Sequence, residues 1–495
     1  MTPTEHLDVL IIGAGLSGIG AAFHVQDKLR RLSYAVLEGR HALGGTWDLF
    51  RYPGIRSDSD MYTLGYPFRP WHGDKSITSG QSILDYITET AEEYGIDRRI
   101  RYGHRITRAA WDSGTALWTI EGDAGGEPFA LTASYVMSCC GYYDYERGYM
   151  PDYPGAADFG GEIVHPQDWH DGVETRGRRV VVVGSGATAV TLVPALAKTA
   201  AHVTMLQRSP TYVASRPAED PWSKLANKLL PAKLAYALMR AKNVGMAIFI
   251  YDRSKKNPDG VRKYLTNEVE KKLGGAVPVA PHFTPDYDPW DQRLCLVPDD
   301  DLFEALKNGS ASIVTDRIKR FVPGGIELEG GETLEADLVV SATGLKLLPF
   351  GGIAMEMDGA PVDVADTFNY KGMMFSGVPN FAALFGYTNA SWTLKSDLSA
   401  RYFCRLVKAA RRRGADSFVP RMDGPAPEGE PIIDFAAGYV RRAIHLFPRQ
   451  GPERPWRNHQ NYVADAFDIG LGKLDDGVMR FERKEEMRET AREAA

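Results

Sequence analysis

Two stretches of the sequence limit the fold more than any others. Residues 7–12, LDVLII, have the length and the β-branched character of a buried strand. They run directly into Gly13-Ala14-Gly15-Leu16-Ser17-Gly18, and the following IGAAFHVQDKL spaces its apolar residues as a helix does. Residues 179–183, RVVVV, repeat the plan. There Gly184-Ser185-Gly186-Ala187-Thr188-Ala189 precedes TAVTLVPALAKT, a helical pattern in which Pro194 predicts a kink or a later start. In such a strand–turn–helix unit the first glycine makes the turn and the second lets a pyrophosphate approach the backbone. The third small residue lets the helix pack on the strand. The helix N-terminus then offers free N–H groups and a positive dipole end to the phosphates. The chain therefore predicts two dinucleotide folds.

The residues after each second strand separate the two. YAVLE ends in Glu38, placed to bind a ribose hydroxyl and to repel a 2′-phosphate, so the first fold expects FAD or NAD. HVTMLQR ends in Arg208, followed by Ser209; an arginine fork there suits a 2′-phosphate, so the second expects NADPH. A flavin beside a hydride donor is a redox pair in which the protein supplies binding and orientation. The expected class is α/β, with two Rossmann-like dinucleotide-binding domains, the second inserted in the first, and a small helical subdomain. Expected boundaries are 1–145 and 331–495 for the two parts of the FAD domain and 146–330 for the NADPH domain. Residues 217–290 lack strand alternation, and KLANKLLPAKLAYALMRAKNVGMAIFIY reads as helices broken at Pro231.

Bulk properties exclude several functions. A net charge of −6, with no basic tail or stripe, argues against a nucleic-acid partner. No run is apolar enough for a transmembrane helix, and the N-terminus shows no signal-peptide pattern. The apolar GMAIFIY leaves peripheral membrane contact open, with a packed helix as the other reading. Four cysteines show neither a C-x-x-C nor a zinc spacing, so no metal is expected and a reducing cytosol is the expected compartment. The neighbours Cys139 and Cys140 read as buried strand-end residues. The C-terminal RFERKEEMRETAREAA reads as a charged helix or frayed tail.

One segment fits no period. GGTWDLFRYPGIRSD, residues 44–58, reads as a surface loop or as the wall of a site. Gly44-Gly45-x-Trp47, then Tyr52-Pro53-Gly54 and Asp58, fills the pattern [AG]-G-x-W-x4-[FY]-P-[GM]-x3-D. Phe159, Gly161, His165 and Trp169 fill F-x-G-x-x-x-H-x-x-x-W, although His170 stands where Pro or Asp usually follows. With both nucleotide signatures, these motifs closely resemble those of the Baeyer–Villiger monooxygenases, the class B flavoproteins, and most of all the ethionamide-activating subgroup. The likeness runs over nearly the whole chain.

The resemblance implies an FAD-, NADPH- and O2-dependent enzyme that turns ketones into esters or lactones through a C4a-peroxyflavin, with sulfoxidation of thioethers as a side activity. It implies that Arg293 in WDQRL stands over the flavin with Asp58 as its partner. It implies that Gly45, Thr46, Trp47 and Tyr62 border the cofactor. The strands YVMSCCG and DLVVSATG would each close a nucleotide domain, the second ending in Ala342-Thr343-Gly344. Gln292 stands where many relatives carry a lysine for the 2′-phosphate, which would leave more of that task to Arg208. His165 and Trp169 would lie at the domain linker, with a core histidine as the plain alternative, and Asn389 and Trp392 near flavin or substrate. Alternatives are an N- or S-oxygenating flavin monooxygenase and, from another class, a flavin redox sensor or electron-transfer protein. The sequence does not specify oligomeric state or substrate.

Overall fold

A computed structural model describes residues 3–433 and 435–488. The first unit comprises β1 (His6–Ile12), α1 (Leu16–Lys28) and β2 (Tyr34–Leu37). β2 pairs with the short β3 (Ile100–Arg101), parallel like its pairing with β1. Next come β4 (His104–Asp112), β5 (Leu117–Ala124) and β6 (Glu127–Ser138), an antiparallel meander. β6 is long enough to serve two partners on one edge. Its first part pairs with β5, whereas Val136–Ser138 lie parallel to Phe381–Ala383. Its other edge pairs in parallel with β1.

β1 is covered on both faces, which explains its unbroken apolar run. Val9 and Ile11 pack into a core with Ile19, Val36 and Phe403, while Leu10 and Ile12 pack with Trp118 and Phe381.

The second unit has β7 (Glu162–Val164), β8 (Arg179–Val183), α2 (Ala187–Leu196) and β9 (His202–Gln207). With β10 (Ala311–Thr315) and β11 (Leu338–Ser341) its strands form a parallel sheet of order β10-β9-β8-β11-β7. α2 starts directly after the glycine turn and carries Pro194 inside its last turn. A three-stranded antiparallel sheet spanning residues 318–335 covers the far face, where Phe321 and Ile326 pack on Val181 and Val183. β11 corrects the expected boundary at 330. Val340 pairs with Val182 of β8 and Val164 of β7, so this unit runs through Ser341 before the chain returns.

Within the expected helical stretch lie α3 (Pro221–Leu229), α4 (Ala232–Lys256) and α5 (Pro258–Leu273), with Pro231 capping α4, while residues 274–290 form no helix. α6 (Trp392–Arg413) lies against α1. The C-terminal run departs from the helical reading at its start. Arg480–Glu482 belong to a strand, Met479–Glu482, paired with Ser417–Pro420, and the residues beyond 488 lie outside the described ones.

Candidate functional site

Both glycine turns open into one cavity of about 890 Å³. Gly15, the N-cap of α1, and Gly186, the N-cap of α2, carry no side-chain cap, so the first amides of both helices are left for a ligand. The packing behind them is tight. A Cβ on Gly18 would lie 1.8 Å from the carbonyl oxygen of Gly13, so helix and turn can approach this closely only with glycine there. Two phosphate cradles facing one space fit two dinucleotides.

The aperiodic segment 44–58 forms the wall between them. Gly45, Thr46 and Trp47 line the cavity, Trp47 in a short helix, Thr46–Leu49. Gly54, at φ +78°, presses against α2: a Cβ there would stand 2.6 Å from Ala195 Cβ and 3.1 Å from the Thr191 carbonyl oxygen. Tyr52 meets Thr188 at the start of the same helix, and burial pushes its hydroxyl up to about 12. The Trp-Tyr-Pro-Gly stretch of the first unit is thus docked on the helix that carries the second glycine turn.

At the end of the segment Asp58 meets Arg293. Arg293 Nε donates to Oδ2 at 2.5 Å and a terminal guanidinium nitrogen donates to Oδ1 at 2.7 Å, a forked pair on the cavity wall. The Asp58 carboxylate holds the guanidinium pKa above its already high ordinary value. The charge of Arg293 is therefore fixed at every working pH. Tyr142, Tyr143 and Tyr439 stand around it, their hydroxyls pushed upward by burial and so kept neutral.

Of the other expected residues, Ser185, Ala187, Thr188, Arg208 and Ser209 line the second cradle, and Ala342, Thr343 and Gly344 line the cavity after β11. Gly184 also lines it. Arg208 is exposed at the end of β9. Trp392 lines the cavity and donates from Nε1 to Ser17 Oγ at 2.8 Å, tying α6 to the first glycine turn.

Three expectations differ. Glu38 does not line the cavity. It is buried, its carboxylate accepts from the backbone N–H groups of Ala14 at 2.7 Å and Arg40 at 2.9 Å, and so it braces the glycine turn. Tyr62 points away from the cavity, because the short helix Met61–Leu64 turns it toward the helical subdomain, where its hydroxyl donates to Ser223 at 2.5 Å. Asn389 stands apart, donating to the Gln460 carbonyl at 2.9 Å beside a small separate pocket.

Phe159, Gly161, His165 and Trp169 all flank the second sheet rather than the cavity. Phe159 packs in the core beneath the sheet and Trp169 against the core above it. His165 bridges: Nδ1 accepts from the Gln167 N–H at 3.1 Å, and Nε2 donates to the Gly344 carbonyl at 3.1 Å. Burial lowers its pKa, so it is a neutral spacer under the chain that returns to the first unit.

Sequence reasoning missed an aromatic wall. Tyr142, Tyr143, Tyr145, Tyr149 and Tyr153 all line the cavity. Five tyrosines within residues 142–153, of 23 in the chain, were the available signal. Arg442 was also missed; it lines the cavity with its guanidinium 3.5 Å from the Tyr149 ring centroid. Cys139 and Cys140 are thiols that burial pushes upward, Cys140 to about 11, which keeps them un-ionised. Among the described residues no cluster of His, Cys, Asp and Glu could hold a metal, and no helix is long and apolar enough to cross a membrane.

Comparison with known proteins gives a consistent picture. A flavin-binding monooxygenase-like family model matches residues 56–255, and an NAD(P)-binding Rossmann-like model matches residues 11–79. The FAD-containing monooxygenase EthA of Mycobacterium tuberculosis is 49% identical over 482 residues, covering 97% of this chain and 99% of that protein. In structure the chain is similar to an oxidized steroid monooxygenase bound to NADP (TM-score 0.75, 22% identity, 97% of this chain and 100% of that one). It is also similar to cyclohexanone monooxygenase bound to ε-caprolactone (TM-score 0.72, 20% identity, 95% and 99%).

Proposed function

The chain belongs to the family of FAD-containing monooxygenases that includes EthA, and from that premise we propose that it is a Baeyer–Villiger monooxygenase, converting ketones to esters or lactones. As a member of the family it uses FAD, NADPH and dioxygen on a small molecule. When bound, the two cofactors would supply the electrons that activate dioxygen, and dioxygen is the source of the oxygen atom that is transferred.

The rest falls to the chain's own residues. The uncapped start of α1 would hold the FAD pyrophosphate, and that of α2 the NADPH pyrophosphate. Arg208 and Ser209 take the 2′-phosphate. Arg293 offers a permanent positive charge to the ketone oxygen as negative charge builds on it. Asp58 holds the guanidinium plane with two hydrogen bonds, so that the charge is aimed before the substrate arrives. Tyr142, Tyr143 and Trp392 narrow the cavity and exclude water.

The forked Asp58–Arg293 pair carries this reading, because carbonyl insertion needs an aimed positive charge where oxidation of a thioether sulfur does not. The test is a panel of ketones and thioethers incubated with NADPH and oxygen, read by mass spectrometry for one added oxygen. Arg293→Ala should keep its FAD, still be reduced by NADPH, and form no ester. Ester at the wild-type yield from that variant would overturn the assignment.

A further inference from the structure

In the helical subdomain one arginine points inward while a row of apolar side chains is exposed. Arg240 of α4 is buried, and its guanidinium donates to the carbonyls of Tyr62 at 2.7 Å and Gly65 at 2.8 Å. These are carbonyls left free where the short helix Met61–Leu64 ends. On the opposite side of α4, Leu234 is 54% exposed, Leu238 54%, Met246 45% and Phe249 65%. α3 continues the surface with Trp222 at 66%, Leu225 at 48% and Leu229 at 69%, one helical stripe. Large apolar side chains exposed along two helices that pack on each other mark a candidate interaction surface.

The charge around it indicates what covers it. Residues 221–251 contain no Asp or Glu, although the chain as a whole carries a net charge of −6. They hold Lys224, Lys228, Lys233 and Lys242 beside the buried Arg240. Lys224 meets Glu219 and Lys242 meets Asp220, both acids just outside the stretch. Lys228 and Lys233 are exposed, with no ion pair among the described residues.

We propose that α3 and the outward face of α4 dock on an anionic phospholipid bilayer. Leucine, phenylalanine and tryptophan side chains would enter the acyl boundary while the lysines meet the headgroups. Two copies packed face to face would instead bring two lysine-bearing, acid-free surfaces together, a like-charge arrangement that opposes association. The docked helix also borders the catalytic chamber. Val244 of α4 packs with Tyr387 and Leu394, and Tyr387 lines the large cavity. A membrane-dissolved apolar substrate would therefore be held within one helix thickness of the cavity wall.

The test is flotation of the FAD-loaded full chain with vesicles of phosphatidylcholine alone and of phosphatidylcholine mixed with phosphatidylglycerol. Wild type should float with the mixed vesicles, less with the neutral ones, and less again in high salt. L225S/L229S/F249S should lose about tenfold or more in partitioning while keeping its flavin and its melting temperature. K228E/K233E leaves the apolar stripe intact and should lose the preference for the anionic vesicles. Wild type that does not float at low salt, or a triple-serine variant that floats like wild type, would overturn the proposal. So would a wild-type dimer in light scattering that the serine variant converts to monomer without either protein floating.

Discussion

Gly54→Ala tests whether the two nucleotide units are locked together through the aperiodic wall segment. Two costs arise from one methyl group. At φ +78° an alanine pays the left-handed backbone penalty of about 1–2 kcal/mol. The new Cβ would also stand 2.6 Å from Ala195 Cβ and 3.1 Å from the Thr191 carbonyl oxygen. Neither atom is the end of a flexible side chain, so α2 or the wall must shift, an overpacking cost of about 1–3 kcal/mol. The sum is about 2–5 kcal/mol. Gly95→Ala is the control, with φ +63° and nothing within 4 Å of its Cβ, so it pays the backbone term alone. Denaturant unfolding of both FAD-loaded variants, followed by flavin fluorescence, should show Gly54→Ala losing clearly more stability than Gly95→Ala. Because α2 begins at the second glycine turn, the KM for NADPH should rise several-fold in Gly54→Ala and stay unchanged in Gly95→Ala. Equal stability losses, with KM untouched, would refute the idea that the wall is pressed onto α2.

Three further substitutions probe the chamber and its support. Asp58→Asn removes one charge from the forked pair but keeps its shape; ester formed per NADPH consumed should fall about tenfold, with hydrogen peroxide making up the difference, whereas unchanged coupling would mean that Asp58 does not position Arg293. Arg208→Ala should raise the KM for NADPH by about tenfold or more and leave NADH nearly unaffected; an equal effect on both would take 2′-phosphate recognition away from this residue. Lys395→Met breaks a buried pair, since Lys395 Nζ donates to Asp465 Oδ2 at 2.6 Å and both side chains are almost fully covered. Leaving Asp465 with only the Tyr387 hydroxyl as partner should cost about 3–5 kcal/mol of stability, and adding Asp465→Leu together with Tyr387→Phe should restore most of it in the same unfolding assay.

The two glycine units were legible because each is contiguous. Strand, turn and helix follow one another within about 25 residues, and local spacing is what hydrophobic periodicity reports. The boundary near 330 was misplaced because membership of β11 in the second sheet depends on Val340 pairing with Val164 and Val182, strands far away in the chain. Tyr62 was misplaced for a local reason. A four-residue helix turns each successive side chain by about 100°, so closeness in sequence to Asp58 does not carry Tyr62 to the same wall. Glu38 sits at the expected spacing, and each of its oxygens also accepts from a backbone amide, a bracing role that spacing does not express. The tyrosines of residues 142–153 and Arg442 went unread because no period or motif marks a chamber wall; they are neighbours only after both units have folded.

The segment 44–58 joins these observations. A residue run can be aperiodic because it is solvated, or because each side chain answers to a different neighbour. Here Trp47 faces the cavity, Gly54 meets α2, Tyr52 meets Thr188, and Asp58 meets Arg293, which comes from beyond the helical subdomain. The partners of one short segment thus lie in the second glycine unit and in the strand-edge loop near residue 293. A shift of α2 is felt at Gly54 and Tyr52, a few residues from the carboxylate that aims Arg293. The contacts that hold the units together are therefore also those that set the guanidinium's direction, and a variant that loosens α2 without touching Asp58 should lose coupling of NADPH use to oxygen insertion before it loses either cofactor.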